Sequence, residues 1–238
     1  MSKPLKGRVT LVTGASRGIG YAAAEALAEA GSDIIALART QGGLEALDDA
    51  VKAKGQSCTL VPMDLTQTDG IDRLGAIINE RWGKLDGLLA NAGMLGEITP
   101  VPHLDPKTWD KLVNVNLTAN YRLIRSLDPL LRASDSGRAL FLTSGVAATR
   151  RAYWGAYAAT KAGLEALVQS YAKEAEVTAL KVNLLNPGAT RTAMRAKAMP
   201  GEDPSKLPNP SDIAPLIVKM LSPEYSETDQ IINYRETV

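Results

Sequence analysis

Thr13-Gly14-Ala15-Ser16-Arg17-Gly18-Ile19-Gly20 is the stretch whose reading settles the rest of the chain. It follows an apolar run at 8–12 and opens a segment of helical period at 19–30. Glycines at such a junction let the backbone come close to a pyrophosphate. The helix behind it then offers free N–H groups and the positive end of its dipole. The spacing is Gly-x-x-x-Gly-x-Gly, one residue longer than the usual dinucleotide fingerprint. It lacks the Gly-Lys-Ser/Thr ending of a nucleoside triphosphate loop. With no ligand, the same residues would make a tight strand-to-helix turn.

Further apolar runs of strand length lie at 33–38, 57–61, 85–90, 139–143, 180–185 and 230–234. Segments of helical period separate them at 43–54, 71–82, 107–133, 155–177 and 211–221. Several of the strands are almost continuously apolar, as parallel strands covered on both faces are. The alternation predicts α/β architecture: one Rossmann-like, doubly wound domain over 1–238, with a mostly parallel seven-stranded sheet and helices on both faces. The proline-rich stretch 190–210 interrupts the pattern. Too little chain follows it for a second domain, so it reads as a substrate lid.

Composition narrows the function. The 238 residues carry 27 Lys and Arg against 26 Asp and Glu, a net charge of +1. That balance excludes the basic excess of a nucleic-acid binder and the polybasic anchor of a membrane-surface protein. A single cysteine, Cys58, excludes an internal disulfide and a cysteine zinc site, and Cys58 itself reads as a small buried hydrophobe. A single histidine, His103, excludes a multi-histidine metal site and reads as a loop residue without a role. Residues 1–10 hold no apolar leader and no stretch reaches membrane-spanning length, so the expected location is the cytoplasm.

Two further places carry chemistry. The second strand ends in Ala38-Arg39, where a cofactor without a 2′-phosphate usually meets a carboxylate. Arg39, with Arg17 in the glycine turn, suits the 2′-phosphate of NADP(H) instead, though NAD(H) stays open. The second place is Tyr157-Ala158-Ala159-Thr160-Lys161, whose i, i+4 spacing sets a phenol and an ammonium on one helix face. Moving a tyrosine from about 10 to about 7 takes roughly 4 kcal/mol. One cation at about 4 Å, at an effective dielectric of about 20, supplies nearly that much. Ser144 ends the fifth strand and can hold a substrate oxygen beside the phenol.

Thr13–Gly20, Asn91-Ala92-Gly93, Asn116, Ser144, Tyr157 with Lys161, and Pro187-Gly188 occur in the order found in the short-chain dehydrogenase/reductase family. The chain resembles that family from about residue 7 to about 235. Residues 151–161 and 186–220 resemble its YciK-like oxidoreductase branch, a likeness that names no substrate. The resemblance implies hydride transfer between a nicotinamide and a carbonyl or alcohol, with Tyr157 as general acid/base. Lys161 would lower its pKa and hold the nicotinamide ribose, Ser144 would orient the substrate oxygen, and Asn116 would support a proton relay through water. Gly14, Ser16, Arg17, Gly18, Ile19 and Gly20 would cradle the pyrophosphate. Asp64, with Leu65, would meet the adenine, and Asn91, Ala92 and Gly93 the adenosine ribose. Pro187, Gly188 and Thr190 would flank the nicotinamide, and Thr192 would bond its carboxamide.

The resemblance also implies a homodimer or homotetramer and a small-molecule carbonyl or alcohol substrate. One departure concerns residues 235–238, which lack the glycine pair that often follows the last strand in this family. Met94, Leu95, Val146, Trp154 and Met194 are candidates for an apolar pocket wall, and Arg150, Arg151 and Arg191 for contacts to an acidic substrate. The other readings are a non-catalytic NADP(H) sensor on the same fold and a methyltransferase. Intact Ser144, Tyr157 and Lys161 speak against the first. Ala38-Arg39 speaks against the second, which would need a ribose-binding carboxylate there.

Overall fold

In the computed structural model, residues 3–237 are described; Met1, Ser2 and Val238 fall outside them. The chain runs β1 (Val9–Thr13), α1 (Gly18–Glu29), β2 (Asp33–Ala38), α2 (Gln41–Ala53), β3 (Cys58–Pro62), α3 (Thr68–Trp82), β4 (Gly87–Ala90), α4 (Pro106–Val113) and α5 (Ala119–Arg132). It continues through β5 (Arg138–Leu142), α6 (Val146–Thr149), α7 (Gly155–Glu174), β6 (Lys181–Asn186), α8 (Ala193–Ala198), α9 (Pro210–Met220) and β7 (Ile231–Asn233).

The strands form one sheet in the order β3-β2-β1-β4-β5-β6-β7. Every pairing is parallel, where the sequence led us to expect a mostly parallel sheet. β1 lies inside the sheet with all five residues buried, since Val9, Leu11 and Val12 are covered from both faces. One core layer packs α3, α5 and α7 on the sheet, and the other packs α1, α2 and α9. Ala23, Ala24 and Ala28 keep α1 slim on its buried side, where it lies against α9. Strand order reverses between β1 and β4, so the loops at their carboxyl ends part into a crevice.

Three expectations change. The helix expected over 107–133 is broken by a π turn at Asn114–Thr118, between α4 and α5. Residues 190–210 are not irregular, for they contain α8 and a short turn at Pro204–Lys206. Cys58 is half-buried, because β3 is an edge strand with one neighbour; partial burial still pushes its thiol up to about 12, far from a reactive thiolate. Among the described residues no helix is long and apolar enough to cross a membrane, and no group of acidic, His or Cys side chains could hold a metal.

Candidate active site

α7 begins beside the end of β5, and that junction gathers the reactive side chains. Gly155 lies close to Val101, where a Cβ would stand 2.6 Å from Val101 Cγ2 and that exposed side chain would have to shift. Tyr157 follows, packed edge-to-face on Trp154 with ring centroids 6.1 Å apart. Ser144, two positions beyond β5, lines the same cavity as Tyr157. Lys161, one turn along α7, is buried and donates from Nζ to the Leu142 carbonyl at 2.7 Å.

Electrostatics here depart from the simple pairing of phenol and ammonium. Burial pushes the Tyr157 phenol up to about 12, against a smaller downward pull from the nearby Ser144 hydroxyl. Burial also brings the Lys161 ammonium down to about 8, partly countered by Glu165 one turn on. The i, i+4 spacing does place both groups on one face, but the lysine by itself does not lower the phenol. Its Nζ is 5.9 Å from the ring centroid and is committed to a backbone carbonyl. Glu165, which accepts from Thr143 Oγ1 at 2.6 Å, is a member of this cluster that the sequence reading missed. Its signal is the i, i+4 spacing from Lys161.

Asn116 is wholly buried in the π turn and its amide is fully engaged. Nδ2 donates to the Met94 carbonyl at 2.9 Å and to Thr160 Oγ1 at 3.1 Å, while Oδ1 accepts from the Met94 N–H at 2.9 Å. Its side chain thus clamps the loop after β4 onto α7. Gly93, in that loop, passes so near the cluster that a Cβ would stand 3.4 Å from Asn116 Oδ1 and 3.8 Å from Lys161 Nζ.

The phosphate end is built by close backbone approach. Gly14 and Gly18 have φ of +67° and +59°, and a Cβ on Gly20 would fall 2.4 Å from the Gly14 carbonyl oxygen. Asn91 Nδ2 donates to the carbonyls of Thr13 at 2.9 Å and Gly14 at 3.3 Å. The N–H groups of Asn91 and Ala92 both donate to Thr13 Oγ1 at 3.0 Å, so these two residues shape the turn. Ser16 lies against Gly43 at the start of α2. Arg17 is extended at the head of α1 with no side-chain cap, and the first turn of that helix holds no acid. Its leading N–H groups are therefore available to an anion.

Arg39 and Asp64 meet across the ends of β2 and β3, in an ion pair of 3.7 Å. Burial alone would raise the Asp64 carboxyl. Hydrogen bonds from the Thr66 N–H and Oγ1, both at 2.9 Å, together with Arg39, hold it below the usual range. The pair is open to water, with the arginine side chain 62% exposed, so it is weak and Arg39 can turn to another anion. Leu65 beside it is a core residue.

Between the two ends lies a cavity of about 120 Å³. Ser144 and Tyr157 form part of its wall, Ile19 reaches it from the glycine turn, and Pro187, Gly188, Thr190 and Thr192 close another side. Thr190 donates to the Pro187 carbonyl at 3.3 Å, and Thr192 caps α8 by accepting from the Arg195 N–H at 3.2 Å. A Cβ on Gly18 would lie 3.6 Å from Thr192 Cγ2, so α8 begins directly beside the phosphate turn.

Of the apolar candidates, Leu95, Trp154 and Met194 line the cavity, whereas Met94 and Val146 do not. Arg150, Arg151 and Arg191 do not line it either, Arg191 being bonded to Asn209 and Pro208 instead. Arg195 does line it, and the sequence reading missed it. The signal was Thr192, an N-cap residue type three positions earlier. Glycines whose Cβ would clash, an uncapped helix N-terminus, and a cavity running from that turn to Tyr157 together fit a nicotinamide dinucleotide.

The family profile described as short chain dehydrogenase matches residues 8–203. Over 220 residues the chain is 40% identical to the uncharacterized oxidoreductase YciK of Escherichia coli K12, covering 91% of this chain and 87% of that one. A short chain dehydrogenase from Shigella flexneri 2a, crystallised with NADP, superposes with a TM-score of 0.94 at 37% identity, over 99% of this chain and 100% of that one. Another, from Escherichia coli CFT073 with NADPH, gives 0.93 at 38% identity over 98% of each chain.

Proposed function

This chain belongs to the short-chain dehydrogenase family of oxidoreductases, and we propose that it is an NADPH-dependent carbonyl reductase with Tyr157 as its acid and base. The observation that carries this is that Ser144 and Tyr157 stand together in the wall of a cavity that Ile19 of the glycine turn also lines. The two structural relatives with NADP and NADPH support the cofactor. NADPH, when bound, supplies a hydride to the carbonyl carbon. The protein supplies place and proton. Ser144 donates a hydrogen bond to the substrate oxygen, and the neutral Tyr157 phenol gives that oxygen its proton as the carbon is reduced. Lys161, charged below about 8 and fixed by the Leu142 carbonyl, is placed to hold the nicotinamide ribose.

The remaining roles follow from placement. Arg17 and Arg39 hold the 2′-phosphate, the latter exchanging Asp64 for it. Asn91 and Ala92 act by shaping the turn, and Asn116 by fixing the Met94 loop to Thr160 and so holding α7 in position. Pro187, Gly188, Thr190 and Thr192 form the wall on which the nicotinamide rests, and the segment 190–210 folds over it as a lid. Trp109 and Tyr121, exposed on α4 and α5, offer a surface for pairing in a homodimer or homotetramer.

Side-by-side titration with NADPH and NADH, read by nucleotide fluorescence, tests the cofactor. NADPH should bind at least about tenfold tighter, and Arg39→Ala should remove most of that gap while leaving NADH affinity nearly unchanged. Equal binding of the two would overturn the phosphate roles.

The pH dependence follows with opposite signs for the two directions. Reduction needs the phenol protonated and the ammonium charged, and both hold below about 8. Alcohol oxidation needs the phenolate, which a raised phenol yields only as pH rises, by about tenfold per unit. The reduction rate should therefore fall above about pH 8, and the oxidation rate should climb across the same range. Parallel profiles would exclude this assignment.

A further inference from the structure

Arg195 lines the cavity, and Arg151 and Arg235 each pack against one of its other wall residues, Trp154 and Gly188. Arg195 of α8 lines the cavity and grips Glu202 through Nε at 2.5 Å and Nη2 at 2.6 Å. Arg151, just before α7, sits over the Trp154 ring with its guanidinium carbon 6.0 Å from the centroid, and Trp154 lines the cavity. Arg235, on the turn after β7, packs on the cavity residue Gly188, where a Cβ would lie 3.3 Å from its Nε. Glu202 feels all three, and its carboxyl is held below the usual range by the Arg195 bond first and then by charge. Both Arg151 and Arg235 are exposed, and among the described residues no carboxylate pairs with either.

We propose that this mouth recognises a carboxylate on the substrate, bound by Arg151 and Arg235 while Glu202 keeps Arg195 paired. The inference rests on the carbonyl-reductase reading for the chemistry, but not for the binding. Three guanidinium groups against one carboxylate leave two positive charges at the rim of an otherwise largely apolar cavity formed by Leu95, Trp154 and Met194. Glu202 itself shows what the mouth accepts, a carboxylate seated in the planar fork of an arginine. Glu202 also has a selective role. By neutralising Arg195 it leaves only the outer two arginines to attract the anion, so the acidic group is drawn to the mouth and the carbonyl is left to Ser144 and Tyr157.

The test is calorimetric titration of the free and the NADPH-loaded protein with phenylacetate and with methyl phenylacetate, which differ in the charge and one ester methyl. Wild type should bind the acid about tenfold tighter, a gap that narrows with added salt. In the doubly substituted Arg151→Gln, Arg235→Gln protein the gap should shrink to about twofold with ester affinity retained, since loss of fold would weaken both ligands alike. Glu202→Gln, which frees Arg195, should widen it. Equal affinities in wild type, a gap that survives the double substitution, or a narrower gap in Glu202→Gln would each overturn the proposal. Turnover of benzoylformate and methyl benzoylformate separates the two readings. Acid-selective binding with neither compound reduced would count against the reductase, and reduction of both without acid selectivity would count against the mouth.

Discussion

On the proposed chemistry, Tyr157→Phe should lower carbonyl reduction by roughly a thousandfold while NADPH affinity stays within about twofold of wild type. The phenyl ring keeps its burial and its edge-to-face contact with Trp154, so the wall of the cavity survives. What goes is the hydroxyl proposed to protonate the substrate oxygen. General acid catalysis by a positioned group is worth about 10²–10⁴ in rate, and among the described residues no carboxyl, imidazole or ammonium group lines the cavity. Steady-state rates on the best carbonyl of a broad panel, beside a nucleotide titration, measure both quantities. A substituted enzyme that keeps more than about a tenth of the activity would take the phenol out of the proposed chemistry.

Gly20→Ala has the second largest effect, and it strikes fold and cofactor together. The added methyl would be 2.4 Å from the Gly14 carbonyl oxygen and 2.5 Å from Asn91 Nδ2. Neither neighbour can yield cheaply, because Asn91 ties the turn to β4 and Gly14 sits at positive φ. Overpacking of this kind costs on the order of 3 kcal/mol, which for a chain of this size lowers Tm by roughly 6–12 °C. NADPH binding should fall by more than about tenfold at temperatures where the protein is still folded, since the distorted backbone is the proposed phosphate cradle. Gly42→Ala is the control. It lies in α2 with open space around it, so it should leave Tm unchanged or raise it slightly. Thermal melts of the two variants beside wild type decide the matter.

The sheet was legible because its signal is repeated and long in the chain. Unbroken apolar runs of strand length such as Ile34–Ala38, alternating with helical segments, point to buried parallel strands. Edges were harder, since the run around Cys58 reads as a strand without saying that β3 has a neighbour on one side only, which leaves Cys58 half-buried. Helix period also carries straight through Asn114–Thr118, because a π turn shifts the helix by a single residue. The clamp from Asn116 to Met94 and Thr160, which accompanies that turn, is a tertiary fact. α8 is six residues long, too short for a period to register, which hid Arg195 in a stretch read as loop.

At the site, residue types and spacing placed Ser144, Tyr157 and Lys161 in one cluster, and the structure brings them together. Their energetics were not legible. Burial acts on both the phenol and the ammonium, and it outweighs the attraction that spacing alone suggests. That leaves the phenol a strong proton holder in the free protein, suited to giving a proton up only as charge builds on a substrate oxygen.

The most direct test of the reductase reading uses NADPH carrying deuterium at its hydride position, incubated with the protein and a panel of ketones and aldehydes. The account predicts deuterium on the carbinol carbon of at least one product with wild type, and none above background with Tyr157→Phe. Tight NADPH binding without deuterium transfer to any compound of the panel would contradict it, and would make the fold a nucleotide sensor.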